Sequence, residues 1–195
     1  MRSTILIRTV RLTVAAAALL AGTSVWAQGH AQSAAADSNR ELRMRDDCDP
    51  VTFNAALGPG ACVGNGGTTV DEFNAELARR GSVNAWKYDP DHRDVKNGET
   101  ATLVNRGGET HTFTHVAHFG GGFVASLNQA SGNPVPAPEC ATVNADGSLT
   151  PVAPNAQNVR VPGGTQQPAP AIAAGTQLYQ CCIHPWMRIT VTRRN

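Results

Sequence analysis

The chain has no marked excess of either charge. Sixteen Lys and Arg stand against fifteen Asp and Glu, a formal net charge of +1, and no basic run is longer than the pairs Arg79-Arg80 and Arg193-Arg194. That balance argues against a nucleic acid or an anionic membrane as partner, since both are recognised through a concentrated positive field. Aromatic residues are scarce, at 5%, so the chain can build only a modest core. After residue 21 no stretch is apolar enough to enter a bilayer as a helix. Helical periodicity is rare, while 19 Gly and 12 Pro divide the sequence into short stretches. That pattern favours an all-β domain with long loops.

The one apolar run, Val14 to Ala21, follows Arg2, Arg8 and Arg11, with Val25 and Ala27 at the usual cleavage offsets. Residues 1–27 therefore read as a secretory signal peptide, too short in its apolar part for a comfortable membrane span. Cleavage would leave residues 28–195 as a periplasmic or secreted protein, expected to be a monomer. Gly29 to Asn39 is Ala, Gln, Ser and Asn without periodicity and reads as a disordered leader, with His30 solvated in it. Cys48 and Cys62 flank Gly58-Pro59-Gly60. In an oxidising compartment they should close a loop worth about 3 kcal/mol.

Thr69 to Arg80 is the one convincing helix. Thr68 or Thr69 can cap it, Asp71 and Glu72 occupy its first turn, and Gly81 follows as a stop. Its narrow stripe of Val70, Phe73 and Leu77 suggests a structural element laid on the outside of a sandwich. Residues 28–84 thus form a leader and a disulfide-bonded helical extension, and 85–195 a β domain. In that domain Trp86 and Tyr88 alternate as a strand, Lys96-Asn97-Gly98-Glu99 reads as a hairpin turn, and Thr100 to Asn105 as the next strand. Arg106-Gly107-Gly108 turns the chain into Glu109 to His115. Ser126 to Ala156 is Pro- and Asn-rich, a long surface loop with Cys140 in its middle.

The most informative stretch is Leu178 to Ile189, in which Cys181, His184 and Met187 recur three residues apart. They sit on a tight loop between two β-rich runs. A thiolate, an imidazole and a thioether suit copper, because soft sulfur favours Cu(I) and nitrogen Cu(II). Zinc prefers four strong donors and rarely takes a thioether. Cys182 follows Cys181 directly, and adjacent strand residues point to opposite faces. One of them can face a metal while the other joins a disulfide, and Cys140 needs a partner to tie its loop down. Five cysteines then make two disulfides and leave one thiol.

The run Y-x-C-x-x-H-P-x-M-R resembles the copper loop of the cupredoxins, with a spacing closer to the short amicyanin loop than to those of plastocyanins or azurins. The resemblance covers roughly Trp86 to Val191. It implies a Greek-key β-sandwich with one type 1, or blue, copper per chain, acting as a one-electron carrier and not an enzyme. His111 stands where the family takes its upstream ligand, so the resemblance implies the set His111, Cys181, His184 and Met187. It also makes Cys181 the copper ligand and Cys182 the partner of Cys140. His115 shares the strand parity of His111 but lies roughly 13 Å further along, and with His118 and His92 it reads as surface. Redox partner proteins are expected to dock near an exposed edge of His184, framed by Ile183, Pro185 and Trp186. No H-x-H pair is present for a multicopper oxidase, and Pro185 stands where a dinuclear copper site needs its second Cys. The alternative is copper sequestration or delivery through the same site.

Overall fold

A computed structural model of the chain describes residues 40–194, so the expected signal peptide, the leader and His30 lie outside the described residues. Two sheets form the frame. The first runs in the order Lys87–Tyr88 (β2), Glu41–Arg45 (β1), Thr102–Asn105 (β4) and Gln166–Pro168 (β9). The second runs His92–Lys96 (β3), Arg188–Arg194 (β11), Gly175–Gln180 (β10), His111–Val116 (β5) and Asn158–Val161 (β8). Leu42, Met44 and Leu103 of the first sheet share one buried cluster with Phe113, Tyr179, Ile189 and Val191 of the second. The fold is the expected all-β sandwich with N-terminal helices, and its crossing connections set β5 between β8 and β10.

β1 shows how a strand can hide in a charged segment. Glu41, Arg43 and Arg45 face outward, while Leu42 and Met44 alternate into the core. It pairs parallel to β4, Leu42 opposite Leu103, so part of the expected extension is a strand of the first sheet. The turn at Lys96 to Glu99 forms as expected, with Glu99 N–H donating to the Lys96 carbonyl (3.1 Å). It does not close a hairpin. β3 runs parallel to β11 in one sheet and β4 lies in the other, so the turn carries the chain across the sandwich.

Cys48 and Cys62 are bonded, and the loop they close holds an unanticipated helix, Pro50–Leu57 (α1), capped by the Asp49 carboxylate. The expected helix spans Val70–Arg80 (α2), with a capping box of Thr69 and Glu72 and Gly81 in the left-handed conformation at its end. Its position differs from the expectation. Phe73 packs on Phe53 and Trp86, with ring centroids 5.8 and 4.8 Å away, and lies 6.3 Å from the ring of His184. The helix therefore covers the end of the sandwich that carries the Cys-His-Met loop.

The outer face of the second sheet is also covered. Val116 of β5 joins Ala137, Cys140 and Cys182 in a second small cluster, and Cys140 is bonded to Cys182. The segment between β5 and β8 contains a short helix, Ala125–Ala130 (α3), and a hairpin of Ala141–Val143 (β6) with Leu149–Pro151 (β7). Gly122 is required there, because a Cβ would collide with the carbonyl of Cys182. Asn128 completes the anchor by exchanging two hydrogen bonds with the Gly122 backbone (2.6 and 2.9 Å).

Candidate metal centre

β10 and β11 pair antiparallel up to Gln180 opposite Arg188, and the loop 181–187 spans the gap between them. The loop is closed by its own backbone: Cys181 N–H donates to the Met187 carbonyl (3.0 Å) and Met187 N–H to the His184 carbonyl (2.9 Å). Arg188 braces it from outside, donating to the Pro185 carbonyl (2.9 Å) and to Asn133 (2.5 Å). Cys181 and Met187 are both buried, at 0% and 1% exposure.

His111 opens β5 and faces this loop across the sheet. Its Nδ1 lies 3.9 Å from Cys181 Sγ, and Nδ1 of His184 lies 3.9 Å from the same sulfur. The ligand atoms of the three residues all fall within 4.8 Å of one another, and all three residues are buried. Thr112 N–H donates to Sγ at 3.4 Å. Burial pushes the Cys181 thiol up, but hydrogen bonds and positive field from His111 and His184 outweigh it and hold the group well below its ordinary 9.0. The arrangement stabilises a thiolate, the form of cysteine that binds metals.

Each histidine has a carboxylate behind it. Asp46 accepts from Nε2 of His111 at 2.8 Å with its side chain fully enclosed. Burial opposes the charged form of Asp46, yet the His111 contact and the N–H groups of Gly108 and Glu109 keep its pKa below 3.8. Burial likewise lowers the His111 pKa, but Asp46 and the Cys181 sulfur raise it further, to about 9. Glu109 lies 3.5 Å from Nε2 of His184 and accepts from Trp86 Nε1 at 2.5 Å. Its burial raises its pKa, only partly offset by His184 and Trp86. Asp46 lies in a run of charges and Glu109 precedes a turn-proximal strand, so no local pattern marks either one.

The expected exposed edge of His184 is absent. The residue is 2% exposed, with Phe73, Trp86 and Trp186 around its ring at centroid distances of 6.3, 6.5 and 5.5 Å. Pro185, expected in a surface patch, is buried, whereas Ile183 and Trp186 remain half-buried. A cavity of about 300 Å³ between α1, α2 and α3 is lined by Phe73, Leu127, Ile183, Glu109 and His184. The remaining described histidines do not join the centre. His115 spends Nε2 on Gln177 (2.9 Å), and His118 and His92 are exposed.

The donor set can hold a metal ion. One depressed thiol and two Nδ1 atoms converge, while both nearby carboxylates are turned to the far nitrogens of the histidines. Thiolate and imidazole without carboxylate suit copper better than magnesium or calcium, which demand oxygen ligands.

No protein-family model matches the chain, and no curated protein matches it. Among solved structures it is similar to a purple cupredoxin from Nitrosopumilus maritimus, at 17% identity over 57% of this chain and 86% of that one, with a TM-score of 0.34. It is similar to a reduced point mutant of amicyanin, at 21% identity over 62% of this chain and 89% of that one, TM-score 0.33. It is also similar to oxidised plastocyanin from Dryopteris crassirhizoma, at 16% identity over 56% of this chain and 89% of that one, TM-score 0.30.

Proposed function

We propose that the protein is an exported type 1 copper protein that carries single electrons between redox partners. The observation that supports this reading is the buried convergence of His111 and His184, each with Nδ1 3.9 Å from the sulfur of a depressed Cys181 thiol. His111, Cys181 and His184 would hold the ion, and Met187 would supply the weak fourth donor. Bound copper would supply a one-electron couple. The chain's part is to keep its donors in place in both oxidation states: β5 and β10 belong to one sheet, the loop is closed by its own hydrogen bonds, and Cys140–Cys182 pins the strand from behind. Partners would approach over Phe73, Ile183 and Trp186, the side chains between His184 and solvent.

Adding Cu(II) to the purified protein tests the reading. One copper per chain is expected, with an intense thiolate-to-copper band and narrow hyperfine splitting in the EPR spectrum. A colourless complex with ordinary tetragonal spectra would overturn it. Copper storage or delivery through the same residues is the second reading, favoured by the burial of His184 at 2% exposure. Repeated reduction and reoxidation without loss of copper supports the carrier; loss on each cycle supports storage.

A further inference from the structure

The copper reading leaves Asp46 unused, although its carboxylate beside the centre accepts four hydrogen bonds. It comes from just after β1, 65 residues before His111 in the chain. One oxygen, Oδ2, accepts from Nε2 of His111 (2.8 Å) and from the N–H of Glu109 (3.1 Å). The other, Oδ1, accepts from the N–H groups of Gly108 (2.8 Å) and Cys48 (3.2 Å). All four contacts require an acceptor, which only an ionised carboxylate offers on both atoms. The surroundings are shaped to admit it. A Cβ on Gly107 would collide with the Asp46 carboxylate, and one on Gly108 would lie 2.6 Å from Cys48 Sγ. The backbone of Asp46 is held between β1 on one side and the Cys48–Cys62 bond on the other.

We infer that Asp46 is the positioning residue of the metal centre: it keeps a proton of His111 on Nε2, so that Nδ1, facing Cys181, is the nitrogen that gives up its proton to a metal ion. The inference rests on the reading of His111 as a metal ligand. A ligating imidazole can bind through one nitrogen only if its proton sits on the other, and a carboxylate on that N–H fixes the tautomer, orients the ring and makes it more basic. The short stretch between β1 and the Cys48–Cys62 loop thereby acquires a role at the centre, because it delivers this carboxylate.

Asp46→Asn is the test. Its amide keeps the size of the side chain but turns one acceptor into a donor. With the NH₂ toward His111, the ring is driven to carry its proton on Nδ1, the nitrogen needed by the metal. With the NH₂ toward Gly108 and Cys48, two backbone N–H groups lose their acceptor. The expected result is folded protein with both disulfides intact and a 10- to 100-fold loss of affinity for Cu(II) and for Zn(II), the range for loss of such a partner. Cu(II) should suffer more than Cu(I), raising the reduction potential by about 59 mV for each tenfold difference between them. Unchanged metal affinity and potential, with only thermal stability lowered, would overturn the inference and reduce Asp46 to a turn-bracing group. If the variant does not fold, the zinc-loaded wild type decides. ¹⁵N-edited NMR should find the His111 proton on Nε2 and slow to exchange, and a proton on Nδ1 would overturn the assignment. The zinc measurements stand even if wild-type protein shows no thiolate-to-copper band, so failure of the copper reading is distinguishable from failure of this one.

Discussion

Cys181 and Cys182 are neighbours whose side chains leave the chain on opposite faces, one toward His111 and His184 and the other toward Cys140. Cys181→Ser should therefore abolish the thiolate-to-copper band while the protein stays folded. Cys182→Ser should keep the band but cost about 2–5 kcal/mol, as loss of a native disulfide typically does. Visible spectra and denaturant unfolding of the two variants separate the roles, and non-reducing peptide mapping should recover Cys140 linked to Cys182. Met187→Leu should keep the colour and raise the potential measured by voltammetry, since removing a weak axial donor disfavours Cu(II). His111 gives a pH dependence. With its pKa raised to about 9 it is protonated at neutral pH in the metal-free protein, and copper must displace that proton. Apparent copper affinity, read by competition titration, should rise about tenfold per pH unit until the pH reaches the His111 pKa, then level.

At the scale of elements, α2 is a cover for the centre and not an outrigger. Its capping box and left-handed Gly81 define where it begins and ends, and Phe73 and Leu77 define the face it buries. Phe73 touches the aromatic cluster on one side and the ring of His184 on the other. Phe73→Ala should cost about 3–5 kcal/mol, the usual loss for a buried aromatic. It should also open His184 to solvent. Reduction of the copper-loaded protein by a small inorganic complex, followed by stopped flow, is expected to quicken in this variant. An unchanged rate would place the electron route elsewhere, through the Met187 or Trp186 side.

For the whole molecule, metal binding would be linked to folding, because a site assembled from β5 and the 181–187 loop exists only in the folded chain. Copper at 100 times its dissociation constant should add about 2.7 kcal/mol of stability. Scanning calorimetry with and without a chelator measures this. In the metal-free protein two opposed linkages meet. The raised His111 pKa adds stability that is fully present below its ordinary 6.5 and is lost as the pH rises through about 9. The depressed Cys181 pKa adds stability present above its ordinary 9.0 and lost as the pH falls toward its folded value. Their slopes oppose each other in the neutral to mildly alkaline range.

Much of this protein is local chemistry and could be read along the chain. Alternation placed Cys181 and Cys182 on opposite faces, caps and a stop glycine bounded α2, and the oxidising context with five cysteines led to two disulfides and one thiol. The Cys-His-Met spacing marked one loop, which the structure brings together with His111. Tertiary structure decided the rest. β1 was masked by its outward charges, and the turn at Lys96 to Glu99 has the same local form whether its strands pair or part into two sheets. Asp46 meets His111 across 65 residues only because β1 enters beside β4 and a glycine turn leaves room for a carboxylate. The burial of His184 depends on where a helix docks. Turn chemistry and periodicity are properties of a few neighbouring residues, whereas strand order, helix docking and the carboxylates behind the two histidines are set by the free energy of packing the whole chain.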